Sequence, residues 1–338
     1  MSIADRLIIG TDAAAWDRAL CGTAHAIAHT WAYSSAMAAT SGAHPVLLVI
    51  EDANARVICP LIERPWERSI DVATHYGFSG FASSGTIPGF ADAWLRALTA
   101  RDYICAAVGS HPALPLPADL PPQEMYYGAN AYVLDLRQDL PDIERKMAHG
   151  HRYALARWRR GPQRIVTDRK MLATWFLDQY PRMMQRVGAA ATYHFSRKTL
   201  ETILKLDDVI LFGAQVKGRI EAVAAFGVTP YTADYLWNAS TPTGRDHSRG
   251  LLWAAIERFA TQGVPVLNLG GGIRPGDGLE RFKAGFGARP VPRLWLKQVV
   301  RAVPYERLCQ QAGASATERS GFFPAYRAAE AVAPGAAP

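Results

Sequence analysis

The sequence has no long apolar run. Its most apolar stretch, residues 45–50, is strand-sized and far shorter than the roughly 20 residues that a membrane-spanning helix needs. The first 16 residues have no basic region ahead of their apolar part, and Asp5 lies inside that part, so no signal peptide is predicted. We therefore expect no membrane span and a cytoplasmic protein.

Cysteine is scarce, and several chemical signatures are absent. The four cysteines are widely separated, and none forms a CxxC pair: Cys21, Cys59, Cys105 and Cys309. This spacing is typical of buried single thiols in a reducing compartment and predicts neither disulfides nor a metal site. There is no GxSxG segment and no GxGxxG loop, which argues against a serine hydrolase and a dinucleotide-binding enzyme. No bound cofactor is predicted.

The composition is that of an ordinary globular protein with a basic charge balance. Hydrophobic residues make up 49% of the 338 residues and charged residues 20%, so there are enough apolar side chains for a folded core. Domains typically have roughly 100–200 residues, so this length predicts two of them. The net charge of +7 favours anionic partners such as nucleic acid, nucleotide-linked substrates or coenzyme A.

Hydrophobic periodicity predicts the same element order in both halves: helix, antiparallel hairpin, helix, strand. The predicted helices are at residues 13–20, 23–40, 88–99, 171–187, 196–204 and 247–262, with one more that is capped by Asp139 and begins at Pro141 and a short one that carries Arg281, Phe282 and Lys283. The predicted strands are at 44–50, 56–62, 102–108, 129–136, 163–168, 209–216, 219–228, 232–238, 264–269 and 292–300. Mixed sheets flanked by helices and used twice indicate an α/β protein, of the mixed α+β kind, with two tandem domains. We place these domains at residues 1–140 and 141–327, followed by a disordered tail at 328–338.

The first candidate functional segment follows a strand and reads DVATHYGFSGF, residues 71–81. Glycine allows a backbone to approach a ligand closely, and aromatic rings can flank that ligand. Tyr76, Gly77 and Phe78 are therefore predicted to bind substrate. The alternative is a tight turn whose aromatic side chains belong to the core.

The second candidate segment is VPVLNLGGGIRPGDGLERFK, residues 264–283, in which a buried strand ends in three glycines. Backbone that is exposed at a strand end is a natural place for a substrate. Gly270, Gly271, Gly272 and Asp277 are predicted to line such a site. The alternative is a bulged loop with no ligand.

The third segment, residues 145–170, carries nine basic residues against one aspartate, with Tyr153 and Trp158 interleaved. At helical spacing Arg152, Arg159 and Arg160 share a face, and such a face can follow a phosphate backbone. These residues and Arg157 are predicted to bind RNA. The alternative is a solvated helix that joins the two domains.

In this order, these segments resemble the Fem-like branch of the GNAT acyltransferase superfamily, which includes stand-alone ligases of peptide natural-product pathways. The matching stretches are DVATHYGFSG, HRYALARWRRGPQRIVTD, GRIEAVAAFG, ADYLWNAS, GLLWAAIERFATQGVPVLNLGGG, LERFKAGFGARPVPR and FFPAYR. The resemblance implies two GNAT-like domains with an active-site channel between them. It also implies an enzyme that joins an activated acyl group to an amine. In the peptidoglycan branch the donor is aminoacyl-tRNA, and acyl-CoA is the alternative donor in the wider group.

The resemblance also assigns residues. The Phe-Lys pair that lies at the reacting carbonyl in the family matches Phe282 and Lys283, and Lys283 is expected to be an exposed charge that stabilises the oxyanion. The strand ADYLWNAS adds Tyr235 and Asn238 as substrate-binding candidates. The long helical arm of some peptidoglycan members has no counterpart here, which favours a small-molecule or peptide amine as acceptor.

The choice of donor depends on residues 246–254, DHSRGLLWA. GNAT enzymes that use CoA hold its pyrophosphate on a Q/RxxGxG/A loop, and here Arg249 and Gly250 are present while a bulky residue replaces the second glycine. This difference favours aminoacyl-tRNA over acyl-CoA. A third reading, a non-catalytic RNA-binding protein, leaves the glycine loop and Lys283 without a purpose.

Overall fold

The structure of the chain, a computed structural model, describes residues 3–274 and 276–329. The helices are α1 (Ala13–Leu20), α2 (Trp31–Ser41), α3 (Phe90–Ala100), α4 (Leu140–Lys146), α5 (His149–Arg159), α6 (Arg169–Arg186), α7 (Arg197–Lys205), α8 (Ser248–Thr261), α9 (Gly278–Ala284) and α10 (Ala302–Gln311). The strands are β1 (Ala4–Ile9), β2 (His44–Glu51), β3 (Arg56–Trp66), β4 (Ser69–Ala73), β5 (Ala82–Ser83), β6 (Tyr103–Gly109), β7 (Met125–Asp135), β8 (Arg164–Val166), β9 (Val209–Val216), β10 (Arg219–Val228), β11 (Ala233–Ser240), β12 (Val266–Gly271) and β13 (Arg289–Val299). Within the described residues, no helix has both the length and the apolar character that crossing a bilayer requires.

Close contacts divide the chain into two compact units. Unit 1 consists of the chain up to Gly128, a short piece at Ala190–Tyr193, and the chain from Arg293 onward. Unit 2 consists of Ala129–Ala189 and His194–Pro292. The predicted domain boundary between residues 140 and 141 therefore lies inside unit 2, and the prediction does not include the return of the chain to unit 1 at Arg293.

Unit 1 is built on strands in the order β1-β2-β3-β4-β6-β13, with β5 beside β3. The pairing is antiparallel except between β4 and β6, which are parallel. The β2–β3 hairpin turns at Asp52, whose Oδ1 accepts hydrogen bonds of 2.8 Å from the backbone N–H groups of Asn54 and Ala55. On one face α3 buries Trp94 against Phe81, with ring centroids 4.9 Å apart.

Unit 2 is built on strands in the order β7-β12-β11-β10-β9-β8. Only β11 and β12 pair in parallel; the other pairs are antiparallel. The β9–β10 hairpin turns at Lys217 and Gly218, which have φ values of 47° and 81°, and glycine adopts such a conformation without steric cost. The helix α8 covers the sheet with a fully buried stripe that includes Leu251, Ile256 and Phe259.

Several elements differ from the sequence-based reading, and β4 and β5 are among the strands that it did not include. The predicted helix at 23–40 begins only at Trp31, because Thr30 caps it by accepting a hydrogen bond from the N–H of Tyr33. Neither β1 nor α10 was predicted: β1 is an edge strand with exposed residues on both faces, and α10 has Pro304 in its first turn. From residue 330 onward the predicted tail lies outside the described residues.

The cysteines follow the sequence-based reading with one exception. Cys59, Cys105 and Cys309 are buried free thiols, whereas Cys21 is exposed. The prediction of burial was wrong for Cys21 because this residue lies at the end of α1, where the chain turns into an irregular segment.

Candidate active site

In unit 2 the sheet opens between its two parallel strands. β11 and β12 pair only at Ala233 with Leu267 and at Asp234 with Asn268, although both strands continue beyond these pairs. The strands therefore diverge from Tyr235 and Leu269 onward. A gap of this kind presents backbone groups that no neighbouring strand satisfies, which makes it suited to a ligand.

A buried polar pair fixes the strands at the point of divergence. Asn268 is 1% exposed and its Nδ2 donates to Asp234 Oδ1 at 2.8 Å. Its Oδ1 accepts from the backbone N–H of Gly270 at 2.9 Å. Breaking either hydrogen bond of Asn268 would leave a buried polar group unpaired, which is unfavourable. The two bonds therefore hold the strands in a fixed geometry at this point.

The three predicted glycines at the end of β12 each have a steric reason. Gly270 has a φ of 69°, which side-chain-bearing residues rarely adopt. A Cβ on Gly271 would lie 2.5 Å from the carbonyl oxygen of Asn130, and one on Gly272 would lie 2.8 Å from Asp277 Oδ1. The glycines thus let the loop pass directly over neighbouring backbone and over the cap of α9.

Asp277 organises this loop and starts α9. Its Oδ1 accepts from the N–H of Glu280 at 2.7 Å, and its Oδ2 accepts from those of Ile273 and Arg274 at 2.7 and 3.0 Å. Backbone hydrogen bonds, first that from Glu280, lower the pKa of Asp277 to about 2. Asp277 is thus an ionised residue that joins the glycine loop to the first turn of α9.

Lys283 lies on the inward side of α9 and is only 7% exposed. Its Nζ donates to the carbonyl oxygen of Gly271 at 2.6 Å. Burial lowers the pKa of Lys283 to about 8, although the carboxylate of Asp277 opposes this shift. The expectation of an exposed Lys283 was therefore wrong. Phe282 and Lys283 are neighbours on α9, so their side chains point in different directions. The sequence does not show which side of this helix faces the glycine loop.

Phe282 is part of an aromatic cluster that the sequence did not indicate. Its ring lies 5.5 Å from that of His151 and 5.3 Å from that of Phe286, and the guanidinium of Arg249 lies 5.7 Å from its centroid. Burial, assisted by the charge of Arg249, lowers the pKa of His151 to about 4. Gly285 leaves room for His151, since a Cβ there would lie 2.4 Å from its Nε2.

The two candidates on β11 lie where the strands diverge. Tyr235 is the first residue beyond the parallel pairing, and its ring stacks on Phe226 with centroids 5.0 Å apart. Asn238 donates through Nδ2 to Ser248 Oγ at 2.7 Å, while its buried Oδ1 has no partner among the described residues. An unsatisfied buried acceptor is uncommon and marks Asn238 as a ligand-facing candidate.

The other three substrate-binding candidates lie in unit 1, directly after β4. Gly77 has a φ of 113° and its carbonyl oxygen accepts from Arg293 Nη2 at 2.9 Å. Phe78 lies beneath the same guanidinium, 4.9 Å from its ring centroid. Tyr76 packs edge-on against Tyr193, and burial raises its pKa above the ordinary value. Sequence reasoning did not single out Arg293, although it lies in the stretch LERFKAGFGARPVPR.

The predicted RNA-binding residues on α5 and at its end fall into two classes. Arg152 donates to the carbonyl oxygens of Arg145 and Met147, so it caps the end of α4. Arg159 forms a two-point ion pair with Glu144 and lies over the ring of Trp253. Two others are exposed with no ion pair or hydrogen bond from their side chains to described residues: Arg157 and Arg160.

No protein-family profile matches this chain, and no curated protein matches it by sequence. Solved structures do match. FemX superposes with a TM-score of 0.66 at 10% identity, over 91% of this chain and 100% of its own. This chain has the Fem-like GNAT fold.

Two further structures share the Fem-like fold. A conserved protein of unknown function from Bacteroides thetaiotaomicron matches with a TM-score of 0.59 at 9% identity, over 88% of this chain and 100% of its own. L-PGS from Bacillus licheniformis matches with a TM-score of 0.50 at 11% identity, over 87% of this chain and 94% of its own. The prediction of an α/β protein with two tandem GNAT-like domains is confirmed.

A side chain covers the start of α8. At the start of α8, Gly250 faces the indole of Trp158, and a Cβ on Gly250 would lie 2.2 Å from that ring. Trp158 is fixed in place because its Nε1 donates to His247 Nδ1 at 3.0 Å. Gly250 is therefore covered by a side chain of α5.

Proposed function

We propose that this protein is an aminoacyltransferase that moves an amino acid from aminoacyl-tRNA to the amine of a small-molecule or peptide acceptor. The observation that carries the proposal is Lys283. It is a buried ammonium held against the carbonyl oxygen of Gly271, at the end of the strand where the sheet of unit 2 opens. Buried lysines with a lowered pKa are concentrated at functional sites.

Lys283 suits the stabilisation of an oxyanion. Its one hydrogen bond to a described residue is that to Gly271, which leaves two of the three ammonium N–H groups for a substrate. A cation that is already in place and shielded from water stabilises a developing negative charge by about 3–4 kcal/mol, as oxyanion-hole donors do. With a pKa of about 8 it carries its charge in most molecules at neutral pH.

The reaction balances without a cofactor. The neutral amine of the acceptor attacks the carbonyl carbon of the aminoacyl ester, and a C–N bond forms. Lys283 donates a hydrogen bond to the oxyanion of the tetrahedral intermediate. The C–O bond to the terminal ribose of the tRNA then breaks, and the proton lost by the amine ends on the ribose oxygen. Phe282 packs against His151 and Phe286 and is proposed to bound the acyl group on its apolar side.

The covered start of α8 supports aminoacyl-tRNA over acyl-CoA as donor. Helix N-termini bind pyrophosphate through backbone N–H groups that the phosphate oxygens can reach closely. In this chain the indole of Trp158 lies against Gly250 at that place. A CoA pyrophosphate would have to displace a side chain that is hydrogen-bonded to His247.

The exposed face of α5 supports an RNA partner. Tyr153, Arg157 and Arg160 follow one another at four- and three-residue intervals and so share one side of the helix. Tyr153 is 64% exposed, which is unusual for a tyrosine, and both arginines are exposed. Cations attract phosphates, and an exposed ring offers a surface on which a base can stack.

A direct test uses a mixed pool of charged tRNAs. We expect one aminoacyl ester to be lost faster with the protein than without it, and faster again when the correct amine is added. A parallel incubation with a pool of acyl-CoA thioesters distinguishes the second donor. RNA that stays bound during purification, with no transfer from either donor, would instead support the non-catalytic RNA-binding reading.

The RNA contact has its own prediction. Replacing Arg157 and Arg160 together by glutamine should weaken tRNA binding at low salt, and the loss should shrink as salt rises. The slope of log affinity against log salt should fall by about 1 for each phosphate contact removed. Filter binding over a salt series measures this.

The matched control is the double replacement of Arg18 and Arg96, two exposed arginines of unit 1, which makes the same charge change elsewhere. If both double variants bind tRNA equally well, α5 is a solvated helix and the face has no specific role.

A further inference from the structure

Unit 1 contains a cation without a counter-charge. The guanidinium of Arg293 donates one hydrogen bond, from Nη2 to the carbonyl oxygen of Gly77 at 2.9 Å. It forms no ion pair with any described residue, and its Nε–H is buried without a partner. The residue as a whole, backbone included, is partly exposed. Arginine has five N–H donors in a planar fork, and most of these are left over.

The immediate surroundings of this guanidinium are aromatic and apolar. The ring of Phe78 lies 4.9 Å from it and that of Trp295 lies 4.4 Å from it. Two aromatic faces attract a cation, but they do not accept its in-plane N–H groups. Burial accordingly lowers the pKa of Arg293 to about 10.

Glycines create the space for this arrangement. A Cβ on Gly109 would lie 2.7 Å from Arg293 Nη2 and 3.0 Å from the ring of Trp295. One on Gly128 would lie 3.0 Å from Trp295 Nε1. With Gly77, these positions let the guanidinium and the indole lie directly on the backbone. We call the guanidinium of Arg293, the flanking rings of Phe78 and Trp295 and the adjoining glycine backbone the Arg293 seat. The described residues do not neutralise the charge that it holds.

The titratable groups next to this seat do not supply an anion. Burial lowers the pKa of His75, and the charge of Arg293 lowers it further, so this ring is neutral at pH 7. Burial raises the pKa of Tyr76, so its phenol is neutral as well. His111 packs edge-on against Phe78. The seat thus carries one positive charge.

We propose that Arg293, flanked by Phe78 and Trp295, is a binding site in unit 1 for a carboxylate. Buried charges are rarely left unpaired, so a bound anion is the missing partner. A carboxylate matches both the planar fork and the single charge, whereas a doubly charged phosphate would leave negative charge in excess. The site goes beyond the proposed function, and ligands of this class include a free amino acid and a peptide C-terminus.

The test needs no knowledge of the natural acceptor. The full-length protein is titrated with N-acetylalanine, with N-acetylalanine amide and with inorganic phosphate, and the Nε–H resonance of Arg293 is followed by NMR. We expect N-acetylalanine to shift this resonance and to bind at least about tenfold more tightly than the neutral amide, since charge-assisted hydrogen bonds are roughly twice as strong as neutral ones. Arg293→Gln should abolish the preference, and Arg96→Gln, an exposed control in the same unit, should keep it.

Several outcomes would overturn the site. Equal affinity for acid and amide, tighter binding of phosphate than of the acid, or a preference that survives in Arg293→Gln would each do so. The titration of the wild-type protein does not depend on any substitution, so it still tests the site if Arg293→Gln fails to fold. Aminoacyl transfer is not part of the readout, so carboxylate binding without transfer would reject the proposed function alone, and transfer without carboxylate preference would reject this site alone.

Discussion

Replacing Lys283 with methionine is expected to remove aminoacyl transfer while leaving the fold at least as stable at neutral pH. Loss of a preorganised cation should lower the rate roughly a hundredfold or more, as loss of an oxyanion-hole donor does. Methionine has a similar length and no charge to desolvate, so it can occupy the buried position of Lys283. Rate of ester loss in the presence of acceptor and free energy of unfolding are the two measurements.

The pH dependence of stability identifies the charge itself. The pKa of Lys283 falls from 10.5 to about 8 on folding, and each unit corresponds to about 1.4 kcal/mol. The folded protein therefore bears a penalty of about 3 kcal/mol that is fully present below pH 8 and disappears by about pH 10.5. Between these values the unfolded chain binds more protons than the folded one, so the unfolding free energy contributed by this group rises with pH. The methionine variant should lack that rise.

Two controls separate the interpretations. Lys198→Met removes an exposed lysine of α7 in the same unit and should change neither the transfer rate nor the pH profile. Lys283→Arg should restore activity only in part, because a planar guanidinium does not place its charge where an ammonium does. A methionine variant with full transfer activity would remove Lys283 from the mechanism, and one that unfolds at neutral pH would make the residue structural.

The elements that the sequence predicted best have strong local signals. The β2–β3 and β9–β10 hairpins carry Asp52 and Lys217-Gly218 at their turns, and these residues form the turns in the structure. The long helix α8 and the strand β12 were predicted from periodicity and from the glycines that follow. Turn chemistry and periodicity are properties of neighbouring residues, so one sequence is enough to find them.

The features that the sequence did not reveal depend on distant partners. The burial of Lys283 results from the packing of α9 against the glycine loop, and periodicity in a seven-residue helix does not specify which side faces inward. Arg152 and Arg159 look like free cations in the sequence, yet α4 supplies the carbonyls and the carboxylate that bind them. The seat of Arg293 is assembled from segments more than 200 residues apart, as the bond to Gly77 shows.

A second large effect is expected in unit 1, from Asp71→Asn. Asp71 is fully buried, and its Oδ1 accepts from Arg64 Nε at 2.6 Å. Its Oδ2 accepts from Tyr326 at 2.8 Å and from Arg327 Nε at 2.7 Å. Trp66 covers the guanidinium of Arg327 at 4.5 Å. One carboxylate thus neutralises two arginines and attaches the C-terminal segment to β4.

Asparagine keeps the shape of Asp71 but removes its charge, so two buried guanidinium groups lose their common counter-ion. Breaking a buried pair in this way costs about 3–5 kcal/mol, because the remaining charge stays desolvated. The matched control is Asp102→Asn, the same change at the ion pair with Arg301, whose side chains are 80% and 40% exposed. Exposed pairs contribute about 0–1 kcal/mol, and asparagine tolerates the positive φ of Asp102.

Urea unfolding compares the two variants, and limited proteolysis after Arg327 reports whether the C-terminal segment detaches first. In Asp71→Asn we expect cleavage at Arg327 at urea concentrations where the wild type and Asp102→Asn resist it, because Arg327 is buried while its carboxylate partner is present. Equal unfolding free energies in the two variants would mean that water solvates Arg64 and Arg327 when the carboxylate of Asp71 is absent. Loss of stability without earlier cleavage would mean that Asp71 stabilises the sheet through Arg64 rather than by holding the C-terminal segment.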